Sequence, residues 1–229
     1  MNSVTATAIP APEGAAPGDV IAGKYRVERV LGAGGMGVVV AALHLQLDER
    51  VALKLLSTSA AGNEEATARF LREARAAVKI KSEHVARVSD VGTLENGVPY
   101  MVMEYLDGTD LARWLAGRGV LPVEQAVDFL LQAGEAIAEA HTLGIVHRDL
   151  KPANLFCSKK PDGRLCIKVL DFGISKVTAP GGPGGTDGGQ HDLTRTATVV
   201  GTPTYMSPEQ MLASRLVDLR TDGALMDMA

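Results

Sequence analysis

Apolar and polar positions alternate from Lys24 onward: Tyr25, Val27 and Val30 are interleaved with Arg26, Glu28 and Arg29, which predicts a half-buried β-strand. A glycine cluster follows, and the apolar run at 38–45 predicts a second strand, so the glycines form the turn of a hairpin. Residues 46–50 are polar enough for the next turn, and Val51-Ala52-Leu53-Lys54-Leu55-Leu56 predicts a third antiparallel strand. Across residues 63–80, Phe70, Leu71, Ala74, Ala77 and Val78 recur at helical spacing around Glu73. That pattern predicts an amphipathic helix with Asn63 as its cap. Residues 85–92 and 99–105 read as two more strands, joined across Glu95-Asn96-Gly97, because an Asn-Gly pair suits a tight hairpin turn. A long helix is predicted over 123–141 with Val127, Leu130, Leu131, Ile137 and Ala138 on one face. A last short strand pair, 155–157 and 166–170, flanks Pro161-Asp162-Gly163-Arg164.

Residues 1–22 are rich in Ala, Pro and Thr and carry no apolar period. A segment that buries so little cannot offset its ordering entropy, so a disordered leader is expected there. The rest divides into a first lobe, 23–105, and a second, 106–229. With 46% hydrophobic and 22% charged residues, the 229-residue chain excludes collagen-like, coiled-coil and mucin-like classes and suits one bilobal domain. No apolar run approaches the roughly 18 residues of a membrane span, and no secretory signal is evident. Cys157 and Cys166 are too few for a disulfide framework; buried free thiols and a cytoplasmic location are expected. A net charge of −4 argues against a nucleic-acid partner but permits a local cationic phosphate site.

Leu31-Gly32-Ala33-Gly34-Gly35-Met36-Gly37-Val38-Val39 fits GxGxxGxV, in which positions without side chains let backbone amides approach phosphate oxygens. Taken alone it reads equally as a flexible turn. A dinucleotide-binding unit needs a helix after the glycines, whereas Val38-Val39-Val40 is β-branched and strand-like. The glycines therefore read as a flap over a nucleotide.

Three further segments carry a resemblance: Val51-Ala52-Leu53-Lys54, His147-Arg148-Asp149-Leu150-Lys151-Pro152-Ala153-Asn154, and Asp171-Phe172-Gly173. Together with the glycine loop they resemble the protein kinases, and Lys151 two residues after Asp149 is similar to the serine/threonine branch. The ending Gly201-Thr202-Pro203-Thr204-Tyr205-Met206-Ser207-Pro208-Glu209 resembles a kinase activation segment, with Ser207 where Ala is common. The pattern looks most like bacterial kinases of the eukaryotic (Hanks) type.

The resemblance implies an α+β, bilobal protein kinase-like fold. Its small lobe would have five antiparallel strands and one main helix, and its large lobe would be incomplete and mainly helical. ATP and Mg2+ are the implied cofactors, and protein serine or threonine the implied acceptor. Lys54, oriented by Glu73, would meet the α and β phosphates. Asp149 would accept the hydroxyl proton, Lys151 would offset charge on the transferring phosphoryl, and Asn154 and Asp171 would hold metal. Leu31, Gly32, Gly34, Gly37, Val39, Ala52, Met103, Phe156 and the backbone of Glu104 and Leu106 would surround the nucleotide. His147 and Phe172 would pack as core residues that set the active arrangement. Arg148 would receive a phosphate from Thr194, Thr196 or Thr198, beyond a glycine-rich insert expected to be disordered, and Thr202 would contact Asp149 and Lys151. Singly, each of these residues also reads as a solvated charge or an ordinary core residue.

The match runs to about Asp222, where the family would continue with a hydrophobic helix and several more. A shortened expression piece, a shortened gene and a frameshift remain open as reasons, and self-association is one way to cover the apolar surface those helices would bury. The expected activity is phosphoryl transfer to protein serine or threonine; the alternative is a noncatalytic nucleotide-binding or regulatory fragment.

Overall fold

The computed structural model describes residues 15–34, 37–172, 203–212 and 218–228. The first lobe is an antiparallel sheet of β1 (Val20–Ile21), β2 (Tyr25–Gly34), β3 (Gly37–His44), β4 (Glu49–Leu56), β5 (Val88–Thr93) and β6 (Pro99–Glu104), in the order β1-β2-β3-β4-β6-β5. Val38, Val40, Leu53, Leu55 and Val102 cluster on one face of this sheet. The register Val39↔Lys54 and Ala52↔Met103 puts the intervening residues on the other face.

Between β4 and β5 run a short turn of helix, α1 (Thr58–Ala61), and the main helix α2 (Glu64–Lys79). Asn63 Oδ1 accepts from the amides of Glu65 and Ala66 at 2.9 and 3.2 Å, while Glu64 and Glu65 sit against the positive end of the helix. Phe70 and Ala74 bury one face of α2 against Val88, Val98 and Met101.

The leader expected over 1–22 needs correction from residue 15 onward. Ala15 is buried, Val20 and Ile21 pair with Arg26 and Tyr25, and Asp19 and Gly18 exchange backbone hydrogen bonds with Val27. Ala22 and Gly23 adopt φ of 51° and 65°, which folds this piece back onto β2 and adds a sixth strand to the expected five. A two-residue strand is too short to show a period, so nothing in the pattern announces it.

The second lobe holds β7 (Gly108–Asp110), α3 (Leu111–Arg118), α4 (Val123–Thr142), β8 (Leu155–Lys159), β9 (Leu165–Val169) and α5 (Pro208–Leu212). Single 3-10 segments lie at Pro152–Asn154, Pro203–Tyr205 and Leu219–Met228. Strands β7, β8 and β9 form a small antiparallel sheet. The thiols of Cys157 and Cys166 are free and buried there, and burial pushes both pKa values up.

The face expected for α4 is also corrected. The helix buries Phe129, Ala133, Ala136, Ile137 and Ala140, whereas Val127 and Leu131 are 50% and 68% exposed. Ala138 is exposed too. Three alanines let α4 approach β9 closely, so small side chains rather than the largest ones mark its core stripe.

Candidate active site

The β2–β3 hairpin carries the glycine loop. Gly37 has φ +153°, and a side chain there would collide with the Leu55 carbonyl. Gly32 and Gly34 have open space where a Cβ would point, so the exposed approach to their backbone is unobstructed. Leu31 is half-buried at the same end of β2. Alternation along β3, β4 and β6 places Val39, Ala52, Lys54, Met101 and Met103 on the face opposite the Val40–Leu53 cluster. Val39 and Met103 line a cavity of about 110 Å3 with Glu73, Met101, Val169, Asp171 and Phe172.

The link between lobes is held by its side chains. Glu104 Oε1 accepts from the Arg87 amide and from Lys168 Nζ, each at 2.8 Å, and Arg29 Nη2 donates to the Tyr105 hydroxyl at 2.8 Å. The Glu104 amide itself donates to the Arg87 carbonyl at 2.9 Å. Phe156, on β8, pairs across the sheet with Lys168 and is half-buried.

Lys54 Nζ donates to Glu73 Oε1 at 2.7 Å and to Asp171 Oδ1 at 2.6 Å. Burial alone would lower the pKa of the ammonium, but the two carboxylates outweigh it and hold the pKa above the usual lysine value. Desolvation also opposes ionisation of Asp171; its side chain is still 54% accessible, and Lys54 prevails, leaving it below the usual carboxylate range. For Glu73, burial outweighs Lys54 and the like charge of Asp171 adds to the rise. One cation thus holds two carboxylates, and the group is short of positive charge.

The segment 147–154 has a single 3-10 turn and is pinned by several hydrogen bonds. His147 is fully buried; its Nε2 donates to the Leu170 carbonyl at 2.9 Å and its Nδ1 accepts from the Asp149 amide at 3.2 Å. Burial keeps this imidazole below its ordinary pKa and therefore neutral, as those two roles require. Its ring centroid lies 4.9 Å from that of buried Phe172. The Asp149 carboxylate accepts from Lys151 Nζ at 2.9 Å and from Asn154 Nδ2 at 3.2 Å. Asn154 Nδ2 also donates to the Asp149 carbonyl at 2.7 Å, and the Asn154 carbonyl accepts from the Leu170 amide at 2.9 Å. That last bond ties this loop to the residue before Asp171.

A family model described as a protein kinase domain matches residues 25–222. The chain belongs to the protein kinase family. This kinase chain is 42% identical over 205 residues to serine/threonine-protein kinase pkn3 of Myxococcus xanthus, a match covering 90% of the chain and 36% of that relative. It is 37% identical over 202 residues to serine/threonine-protein kinase PknB of Mycolicibacterium smegmatis, covering 87% and 30% respectively. The crystal structure of the PknI kinase domain of Mycobacterium tuberculosis superposes with a TM-score of 0.65 at 31% identity, over 90% of this chain and 70% of that one. The chain spans about a third of the length of these curated relatives.

In this member of the protein kinase family the expected donors suit a magnesium ion carried in with a nucleotide. Among the described residues no group of three or more His, Cys, Asp or Glu side chains forms a metal site. Magnesium needs only one or two protein oxygens when phosphates supply others. Asn154 spends its amide nitrogen on Asp149, so its side-chain oxygen is the end that would meet a cation, and Asp171 is ionised and accessible.

Asp222 is an anchor of this loop that the motifs did not single out. It is buried, and its carboxylate accepts from the amides of His147 and Arg148, both at 2.7 Å, and meets His141 Nε2 at 2.9 Å. Its only sequence signal is position: it lies where the resemblance stops. Gly35, Met36, Gly173, Thr194, Thr196, Thr198 and Thr202 lie outside the described residues.

Proposed function

We propose that the chain transfers the γ-phosphoryl group of ATP to a serine or threonine hydroxyl of a protein, in signalling. The observation that carries this reading is the pairing of Lys54 with Glu73 and Asp171 while Leu170, next to Asp171, is bonded to the loop of Asp149, Lys151 and Asn154. Asp149 orients the acceptor hydroxyl and takes its proton as the new O–P bond forms and the bond to the β-phosphate oxygen breaks. Lys151, already paired with Asp149, offsets charge on the phosphoryl group in flight. Lys54 steadies the α and β phosphates, and the glycine loop covers them with backbone amides. Asn154 and Asp171 would hold a magnesium ion, which when bound would supply neutralisation of phosphate charge. The adenine edge meets the backbone of Glu104 and Leu106, its faces Val39, Ala52 and Phe156, with Leu31 at the mouth and Met103 at the back.

The choice of serine or threonine rests on Lys151 and on the names of the relatives. Regulation by phosphate on Thr194, Thr196 or Thr198, received by Arg148, and contact of Thr202 with Asp149 and Lys151 belong to the same reading. So does a cytoplasmic location, supported by two free buried thiols; no helix among the described residues is long and apolar enough to cross a membrane.

Steady-state phosphotransfer and nucleotide affinity of Asp149→Asn and Asp171→Asn test the proposal. The first should lose turnover by about 100-fold or more with nucleotide affinity retained, the second should lose magnesium-dependent nucleotide affinity as well. Turnover at the parental rate in both variants would overturn it. Magnesium-ATP binding without turnover in the parent chain would favour the regulatory-fragment reading.

A further inference from the structure

Arg148 holds φ +64°, a left-handed backbone that a non-glycine residue adopts only when its surroundings impose it. Both peptide groups that flank it are gripped by side chains. The Arg148 amide donates to Asp222 Oδ1 at 2.7 Å, and the Asp149 amide donates to His147 Nδ1. The Arg148 carbonyl, in turn, accepts from Gln210 Nε2 at 2.7 Å. Since that carbonyl belongs to the peptide joining Arg148 to Asp149, its direction sets where the Asp149 side chain begins.

Gln210 is itself prepared for this contact. Ser207 and Gln210 form a reciprocal cap at the start of α5: the Ser207 amide donates to Gln210 Oε1 at 3.0 Å and the Gln210 amide donates to Ser207 Oγ at 3.4 Å. With Oε1 committed to Ser207, the amide nitrogen of Gln210 must point away from the cap, toward the loop. Thr221 then links both anchors, because its hydroxyl donates to Glu209 Oε1 at 3.0 Å and lies 3.4 Å from Ser207 Oγ, one residue before Asp222.

We propose that Gln210 is a positioning residue: it clamps the Arg148–Asp149 peptide and thereby aims the Asp149 carboxylate. The Ser207 cap is the device that orients its amide. The functional consequence rests on the reading of Asp149 as the group that orients the acceptor hydroxyl; the clamp itself does not.

Gln210→Glu separates the two ends of the side chain. The carboxylate still accepts from the Ser207 amide but offers no donor to the Arg148 carbonyl. Hydrogen exchange of residues 147–150 in the full 229-residue chain is the primary readout. Exchange at the Arg148 and Asp149 amides should quicken by about fivefold or more in this variant, with α5 unchanged. Turnover should fall by about tenfold or more while KM for ATP stays at the parental value, since nucleotide contacts are untouched. Gln210→Met, uncharged and of similar length, serves if the glutamate variant does not fold, with the same exchange result expected at Arg148 and Asp149. Parental exchange at those amides in a folded variant would overturn the proposal, whatever the turnover. Quickened exchange in the variant alongside a parent chain that shows no turnover would leave the clamp standing and refute the catalytic reading instead.

Discussion

Lys54 illustrates how one residue's charge depends on a contest between burial and attraction. Placed in an apolar strand it should lose its proton, yet Glu73 and Asp171 within 2.7 Å keep it an ammonium. His147 is the opposite case, since nothing offsets its desolvation enough and it stays neutral. The folded chain therefore binds a proton at His147 less readily than the unfolded chain does. The stability this represents is present above the unfolded pKa of about 6.5 and is lost as pH falls through the window beneath it. Melting temperature should accordingly fall between about pH 7 and about pH 5. Replacing His147 by Phe should flatten that slope, even if it lowers the melting temperature at neutral pH through the lost bonds to Leu170 and Asp149. An identical slope in the variant would place the acid sensitivity elsewhere.

At the scale of elements, patterning and capping were readable where they act locally. The Asn63 cap and the extent of α2 emerge within a residue of expectation, because the cap bonds and the apolar stripe both involve neighbours in sequence. The orientation of α4 did not, because a helix with valine and leucine on one side and alanines on the other satisfies two stripes. Contact with β9 chose the alanines and Phe129. Phe129→Ala should cost about 3–5 kcal/mol, whereas Leu131→Ala on the exposed side should stay within about 0.5 kcal/mol. Thermal melts of the two variants check this, and equal losses would show that the buried face is misassigned. β7 and α3 escaped notice for a different reason. Three residues of strand and eight of helix give too few repeats to count, although Asp110 caps α3 and Trp114 packs edge-on against Phe129 at 6.4 Å.

At the scale of the molecule, the exposed side of α4 is an apolar stripe of Val123, Val127 and Leu131, the first of them 79% exposed. The PknI kinase domain extends beyond the matched region, since 70% of it is covered. Grafting its uncovered part onto this chain should raise the melting temperature and lower light scattering where it covers this stripe, because exposed apolar surface costs about 25 cal/mol per Å2 left in water. Calorimetry and light scattering on both chains test the expectation; no gain in either would mean that the stripe needs no cover.

Sequence by itself singled out the residues proposed to carry the chemistry. Lys54, Glu73, Asp149, Lys151, Asn154 and Asp171 stand in segments whose residue types and short spacings are legible without a fold, and the strand period put Lys54 in a sheet. Tertiary structure decided how those residues meet. Lys54 and Asp171 are 117 positions apart and Asp222 lies 74 beyond Arg148, so their bonds follow from how the lobes pack and not from any local pattern. The same holds for the Gln210 clamp on the Arg148 carbonyl and for the face of α4. A backbone carbonyl has no sequence signature, and a hydrophobic stripe does not name its partner; both are assigned only when distant elements come within a few ångströms of each other.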